Sequence, residues 1–501
     1  MKRKEDLFHL IKAMSKSEKR YFTLDAQKGG RKHSKYLELF QAINSMDVYE
    51  ENKLKKKFSR NLPSDKAYLY EAIMRSMRDY RSSKSKAAQV KEMILDAKYL
   101  YERGLYQQSE ERLQDAEVLA SQLDDQFSLL EINKEKLQLS WDTKKRDYEE
   151  EIEEWIQLKE ANISKVEKEL TYLEICSRLL MEVNKHYELE SEAEKAQLEQ
   201  RYYKAFFTDQ SKPQGGQALR RFFQSRALYY QLLGDFDQVF HNYAEVVNWW
   251  NSNPKFKEEN FSRFIVDVSN LLHAYTANRK YEFIPQLLDE LESDQPSNIN
   301  DQKVIFQKAS IYRLIYHINL GVVEGAGRLV NEIKKGLDQH KLSQGTRLIL
   351  IFNVAVLLFI LEKFEECSEW ASRIAKEFRL VSQSRDILLG AQLLLLIATY
   401  ELDDLDQTDA MIRSSYRFFT HKLRSDRNSF EVRAVDYIKQ LEAALFREKA
   451  KVFEDFSGYV RSVNQDPKEM VPHGIDELVL YWLESKLQKR PITMIMKRDA
   501  A

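Results

Sequence analysis

The sequence predicts an all-α protein, and three features of its 501 residues support this prediction. Glycine and proline, which sheets and loop-rich folds need at their turns, occur only 14 and 8 times. Glutamate, lysine, glutamine and arginine, all good helix formers, fill most of the polar positions. Apolar residues recur with the spacing of one helix face. The chain is therefore expected to consist of long helices joined by short turns.

The first 86 residues are predicted to form a separate basic module of helices. Apolar residues from Leu7 to Met14 line one face of a first helix. The segment Ser15–Glu18 has the pattern of a capping box, which predicts the start of a second helix. Further helices are expected from about Ser34, around Lys53–Phe58, and from Ser64.

A turn followed by an apolar residue two positions later recurs along the rest of the chain. Gly104 with Tyr106 gives the first instance, and small or apolar residues continue one helix face beyond it. Such a repeated spacing indicates stacked helix pairs. The later instances, with the residue at +2 in parentheses, are Gly234 (Phe236), Arg279 (Tyr281), Gly321 (Val323), Glu362 (Phe364), Asp403 (Leu405) and, more weakly, Arg146 (Tyr148).

Over about residues 87–420 this pattern resembles the tetratricopeptide (TPR) family. The resemblance implies an α-solenoid of antiparallel helix pairs, in which an aromatic residue wedges between the two helices of a pair. The successive turns from Gly234 stand 45, 42, 41 and 41 residues apart, which exceeds the 34 residues of the standard repeat. Longer helices or loops are therefore implied. The structural residues of the turns would be Gly104, Tyr106, Gly234, Phe236, Tyr281, Gly321 and Phe364.

Loop-like segments divide the chain further in this prediction. Asp209–Gly216 is the most loop-like segment and is expected to separate a first, acidic repeat block at 87–208 from a second block at 217–463. Residues 464–501 are expected to hold a capping helix, at about Ile475–Leu487, and a basic tail.

Charge is nearly balanced overall but unevenly distributed. The formal net charge is −1, yet residues 1–90 contain 22 Lys/Arg and 11 Asp/Glu, whereas residues 101–200 contain 13 and 26. Such asymmetry indicates either an arm that faces nucleic acid or two segments that neutralise each other.

The sequence also indicates a cytoplasmic protein without a membrane span. Its first residues turn amphipathic at once and lack the apolar region of a signal peptide. The longest apolar stretch, Leu348 to Leu361, is interrupted by Asn353 and is too short to cross a bilayer. Cys176 and Cys367 lie in apolar helical patterns and are expected to be buried thiols.

The motifs do not favour an enzyme, a metal site or a cofactor. The nearest glycine cluster, Gly321–Gly327, lacks the lysine of a phosphate-binding loop and is expected to serve helix packing. His186 and Glu190 share a helix face, but one histidine and one glutamate make a poor metal site.

The densest basic cluster is a candidate contact for a partner. A helix, a short turn and a second basic, tyrosine-bearing helix would suit a helix-turn-helix reader of nucleic acid. The charges are also explained by contact with an acidic protein or the chain's own acidic segment, or by a solvated face. The candidate residues are Lys53, Lys55, Lys56, Lys57, Arg60, Lys66, Arg75 and Arg78.

The acidic run Tyr148–Trp155 has apolar residues at helical spacing, so its glutamates form either a solvated helix face or a site for a basic ligand. Trp249 and Trp250 are adjacent, and side chains adjacent on a helix point about 100° apart. One of the two is therefore expected either to pack against a neighbouring repeat or to be exposed in a groove, where aromatic side chains anchor peptides, so both are candidate groove aromatics.

The function expected from these features is that of a non-catalytic cytoplasmic adaptor, whose helical-repeat groove binds a protein or peptide. The alternative is a regulator, in which the N-terminal module contacts nucleic acid and the repeat body senses a ligand or protein.

Overall fold

Every regular element of the described chain is a helix, which confirms the all-α prediction. The structure is a computed structural model that describes residues 5–28, 35–58, 61–82, 84–143, 148–293, 296, 298–377, 385–465 and 474–499. Contacts divide the chain into two units. The first comprises residues 1–278 and 295–302, and the second comprises residues 279–294 and 303–501.

Five helices with a core of their own begin the first unit. Leu7, Phe22, Phe40, Leu54 and Ile73 are among the apolar residues that bury this core. The capping box is present, because the hydroxyl of Ser15 accepts from the backbone N–H of Glu18, whose carboxylate accepts from the N–H of Ser15 at 2.6 Å. The helices are α1 (Asp6–Ala13), α2 (Lys16–Gln27), α3 (Lys35–Asn44), α4 (Glu51–Phe58) and α5 (Leu62–Ser82).

The rest of the first unit packs mainly between helices that are near in sequence. α6 contacts α7, α7 contacts α8, α8 contacts α9, and α9 contacts α12, which in turn contacts α13; α13 then contacts α15. These helices are α6 (Lys86–Glu102), α7 (Tyr106–Gln122), α8 (Gln126–Thr143), α9 (Tyr148–His186), α10 (Glu192–Leu198), α11 (Lys204–Phe206), α12 (Gly216–Leu232), α13 (Phe236–Ser252), α14 (Pro254–Glu259) and α15 (Phe261–Ala277).

The second unit is built around a larger apolar core, to which α19 and α21 contribute long buried stretches. Its helices, of which α17 begins in the first unit, are α16 (Ile284–Ser293), α17 (Ile299–Leu320), α18 (Ala326–Gln339), α19 (Gln344–Ile360), α20 (Phe364–Glu377), α21 (Arg385–Glu401), α22 (Leu405–Arg417), α23 (Phe430–Ala443), α24 (Phe446–Gln465), α25 (Ile475–Gln488) and α26 (Ile492–Asp499). Short 3-10 or π segments lie at Glu199–Tyr203, Asp209–Ser211, Tyr281–Phe283 and Phe418–Lys422.

Positive φ angles mark six of the turn positions that the sequence pattern predicts. They are 73° at Gly104, 54° at Arg279, and similar values at the other four. The residue at +2 starts or precedes the next helix; for example, Phe364 begins α20 and its ring lies 5.7 Å from that of Phe359. Arg146, the weakest predicted turn, lies outside the described residues. The other four positions are Gly234 (75°), Gly321 (57°), Glu362 (56°) and Asp403 (56°).

Substitution of Gly234 tests the turn directly. Gly234 has a φ of 75°, and an added Cβ would clash with the carboxylate of Glu188. We expect Gly234→Val to cost about 1–3 kcal/mol, because a β-branched residue resists positive φ and the carboxylate must move. Gly327→Val is the control, because Gly327 lies within α18 and has no atom within 4 Å of an added Cβ. Urea denaturation measures both, and equal stability of the two variants would contradict this assignment.

The boundary between the two units does not lie at the loop Asp209–Gly216. Residues on both sides of Asp209–Gly216 belong to the first unit, because α9 packs along α12. The boundary lies instead after Asn278. The basic tail predicted after residue 488 contains α26, whose Ile492 and Ile495 are buried in the second unit.

Candidate functional site

The basic residues of α4 lie on the surface of the N-terminal helices. Lys53, Lys55, Lys56 and Lys57 are exposed, whereas the apolar residues of the same helix are buried. Lys53 lies 2.7 Å from Glu50 and Lys55 lies 3.8 Å from Glu51, so these ion pairs are local. Arg60 lies outside the described residues.

On α5 the candidate contacts divide into exposed and buried residues. Arg75 and Arg78 are exposed. Lys66, however, is 5% exposed, its ammonium donates to the hydroxyl of Tyr49, and it lies 3.9 Å from Glu51. The prediction that Lys66 contacts a partner is therefore wrong, because its position on α5 places the side chain between α5 and the segment before α4.

Trp249 and Trp250 are both buried, at 7% and 0% exposure, so neither is a groove aromatic and that prediction is wrong. The physical reason is the short helix α14, which starts at Pro254 directly after α13. Its Phe256 ring lies 5.3 Å from Trp249 and 5.5 Å from Trp250. The second face of α13 is therefore covered from within the unit.

A buried charge network surrounds Trp250. The carboxylate of Asp267, on α15, accepts from the Arg220 guanidinium at 2.8 Å and from the Trp250 indole at 2.7 Å. It also accepts from the amide of Gln224. Arg220 is 1% exposed, and its guanidinium lies 5.0 Å from the Trp250 ring, so burial lowers the pKa of Arg220. The network joins α12, α13 and α15, and its two opposite charges pair with each other in the interior.

The helix α9 exposes a series of large apolar side chains, which are Leu158, Ile163, Leu170, Leu173, Leu180 and Met181. This helix runs for 39 residues without glycine or proline, which accounts for its length, and it ends where Tyr187 adopts a φ of 55°. One face is packed: Tyr172, Ile175, Leu179 and Val183 are buried. The ring of Tyr172 lies 5.5 Å from that of Phe222 on α12. The helix is thereby held along its C-terminal half.

Beside the packed face, α9 exposes a second set of apolar side chains. We name Ile163, Leu170, Leu173 and Leu180 the α9 row; they are 40%, 48%, 38% and 47% exposed. Intervals of seven, three and seven residues place them along one side of the helix. Exposed apolar side chains that line one side of a helix are a candidate contact surface. The sequence pattern does not single out the row, because periodicity alone does not separate exposed apolar residues from buried ones on neighbouring faces of a helix.

An acidic edge borders the α9 row. Glu160, Glu167 and Glu174 are spaced seven residues apart and are all exposed. Glu174 lies 2.7 Å from Arg178, and both side chains are more than half exposed, so this ion pair is screened by solvent. We name these three residues the acidic edge.

The acidic run at the start of α9 lies partly over a cleft. Glu150, Glu153 and Glu154 are exposed, as expected of a solvated face. Glu154 also lines a cleft of about 310 Å³ between α7, α8 and α9, in which Lys136 lies 2.6 Å from Glu117.

No protein-family model, curated protein or solved structure matches this chain. Within the described ranges, none of the helices has the length and apolarity to cross a membrane. The same part of the chain contains no cluster of three or more His, Cys, Asp or Glu side chains arranged to hold a metal ion. Burial raises the pKa of Cys176 and raises that of Cys367 to about 12.

Proposed function

We propose that the chain is a non-catalytic adaptor, built as a TPR-like stack of helix pairs, that binds a protein partner along the α9 row. The observation that carries the proposal is the pairing of two faces on one helix. The buried face fixes α9 in place, and the row beside it presents four apolar side chains to solvent. A surface that is rigid before binding loses little conformational entropy when a partner docks.

The TPR-like arrangement is part of the same proposal and is supported by local geometry. Six turns with positive φ occur at the positions of the repeat pattern. Consecutive helices contact each other through much of both units. We also propose a cytoplasmic location, in line with two thiols that are not paired with each other.

A second candidate function, contact with nucleic acid, rests on one observation. Lys55, Lys56 and Lys57 are consecutive, exposed residues of α4. Phosphate contacts of this type are electrostatic and weaken steeply with salt. The co-purification that tests the adaptor is therefore also carried out after treatment with nuclease.

The adaptor is tested by co-purification from the native cell. The tagged double variant Leu170→Ser/Leu173→Ser should recover at least about tenfold less partner than the tagged wild-type protein, because it removes the centre of the row. Its melting temperature should hardly change, since both residues are half exposed.

The matched control is Leu95→Ser/Val118→Ser, which alters two exposed apolar residues on α6 and α7, at 64% and 59% exposure. This control should retain the partner, and nuclease should leave recovery unchanged. Recovery of the same partner by the row variant would contradict the proposal. Loss of the partner on nuclease treatment would favour contact through nucleic acid instead.

A further inference from the structure

We infer that the occupant of the α9 row is a single amphipathic helix of another protein, with lysine or arginine along one edge of its apolar seam. This inference rests on the proposed function and specifies the chemistry of the partner. It follows from the spacing of the row, from the charge beside it, and from the fact that the apolar face of the chain's own basic helix, α4, is already packed.

The spacing of the row suits pairing with a second helix. Ile163 and Leu170 are seven residues apart, as are Leu173 and Leu180. With Val166 and Ser177 these positions alternate by three and four, which is the period of the seam between two coiled helices. From residue 163 to residue 180 the row extends about 26 Å at 1.5 Å per residue, which equals almost five helical turns.

The charges on the two sides of the row differ. The acidic edge places a glutamate next to the seam once in every seven residues, at Glu160, Glu167 and Glu174. The positions on the other side, Glu169, Cys176 and Val183, are half-buried or buried. A docked helix therefore meets negative charge along one edge, and the complementary residues are lysine and arginine.

A second copy of this chain does not suit the surface. In an antiparallel pair of α9 helices, the two acidic edges would face each other and repel. In a parallel pair, each acidic edge would face positions such as Cys176 and Val183, which are covered within the unit. An anionic membrane would also repel the acidic edge.

The chain's own basic helix is not available as the occupant. α4 carries Lys55, Lys56 and Lys57, but its apolar residues Leu54 and Phe58 are 1% and 4% exposed within the N-terminal core. A helix needs its apolar face to fill the row, and the apolar face of α4 is already packed. The occupant therefore comes from another protein.

The test uses synthetic peptides and the full-length protein. One labelled 21-residue helix carries leucine at the seam and lysine along both edges, and a second peptide carries glutamate in place of every lysine. Fluorescence anisotropy should show the lysine peptide binding at least about tenfold more tightly than the glutamate peptide, with a preference that shrinks at about 0.5 M salt. The variant Glu160→Gln/Glu167→Gln/Glu174→Gln should bind the lysine peptide about tenfold more weakly.

Matched variants separate the inference from the proposed function. Glu150→Gln/Glu154→Gln/Glu182→Gln removes three glutamates from other sides of α9 and should leave the affinity unchanged. Leu170→Ser/Leu173→Ser should abolish binding of the lysine peptide. Suppose that both peptides bind with equal affinity and that only the leucine variant loses binding. This result would contradict the inference that the partner helix is basic, but it would still agree with the proposed adaptor function. Absence of binding at about 100 μM protein, or a wild-type dimer that the leucine variant dissociates, would overturn the inference itself.

Discussion

Asp267→Ala should destabilise the first unit by about 3–5 kcal/mol, because it leaves the buried guanidinium of Arg220 without its counter-charge. Arg220 and Asp267 are 1% and 2% exposed, and the Trp250 indole loses its acceptor in the same variant. Within the part of the chain that the structure describes, no protein group accepts a hydrogen bond from Nε or Nη2 of Arg220, so a second protein acceptor is not at hand to replace the lost carboxylate. Urea denaturation followed by tryptophan fluorescence measures the change in the free energy of unfolding.

The control for this prediction replaces both charges. Arg220→Met/Asp267→Leu should recover the part of the lost stability that comes from the unpaired guanidinium, whereas the Trp250 indole still lacks its acceptor. A loss below about 1 kcal/mol in Asp267→Ala would show that water reaches Arg220 and that the network does not hold the three helices together.

Trp482→Ala should destabilise the second unit by about 3–5 kcal/mol. Trp482 is completely buried, and its ring lies 5.7 Å from that of Phe453 and 6.3 Å from that of Tyr400. Its indole donates to Glu401 at 2.8 Å, so the substitution leaves a cavity and removes one donor from that carboxylate, which keeps its ion pair with Lys486. Thermal and urea denaturation by circular dichroism measure the loss.

The same substitution at Trp141 is the control. Trp141 is half exposed on α8, so Trp141→Ala should change stability by less than about 1 kcal/mol. A comparable loss in the two variants would contradict the assignment of Trp482 to the core of the second unit.

Local signals in the sequence identified much of the secondary structure. Few glycines and prolines predict long helices, and the capping box at Ser15 predicts the start of α2, which the structure confirms. The turn positions could be predicted because local backbone geometry sets both the residue with positive φ and, two positions later, the residue at or just before the start of the next helix. Even Glu362 and Asp403, which are not glycines, adopt positive φ there.

The candidate surfaces depended on tertiary contacts and were harder to predict. The sequence makes Trp249 and Trp250 candidate groove aromatics, but both are buried against the short helix α14, which begins at Pro254. One signal was present in the sequence: Asp267 interrupts an apolar stretch, and a buried carboxylate needs donors such as Arg220 and Trp250. The α9 row could not be separated from the core by periodicity, because both sets of side chains are apolar and lie on neighbouring faces of one helix.

The most direct measurement of the central claim is where a bound helix touches the chain. A lysine-edged peptide with a photoreactive residue at the centre of its seam is cross-linked to the full-length protein, and the adducts are mapped by mass spectrometry. We predict adducts within residues 163–180 of α9, and their loss in Leu170→Ser/Leu173→Ser. Adducts concentrated instead at other exposed apolar residues, such as Leu445 and Phe446 at 72% and 91% exposure, would contradict the account.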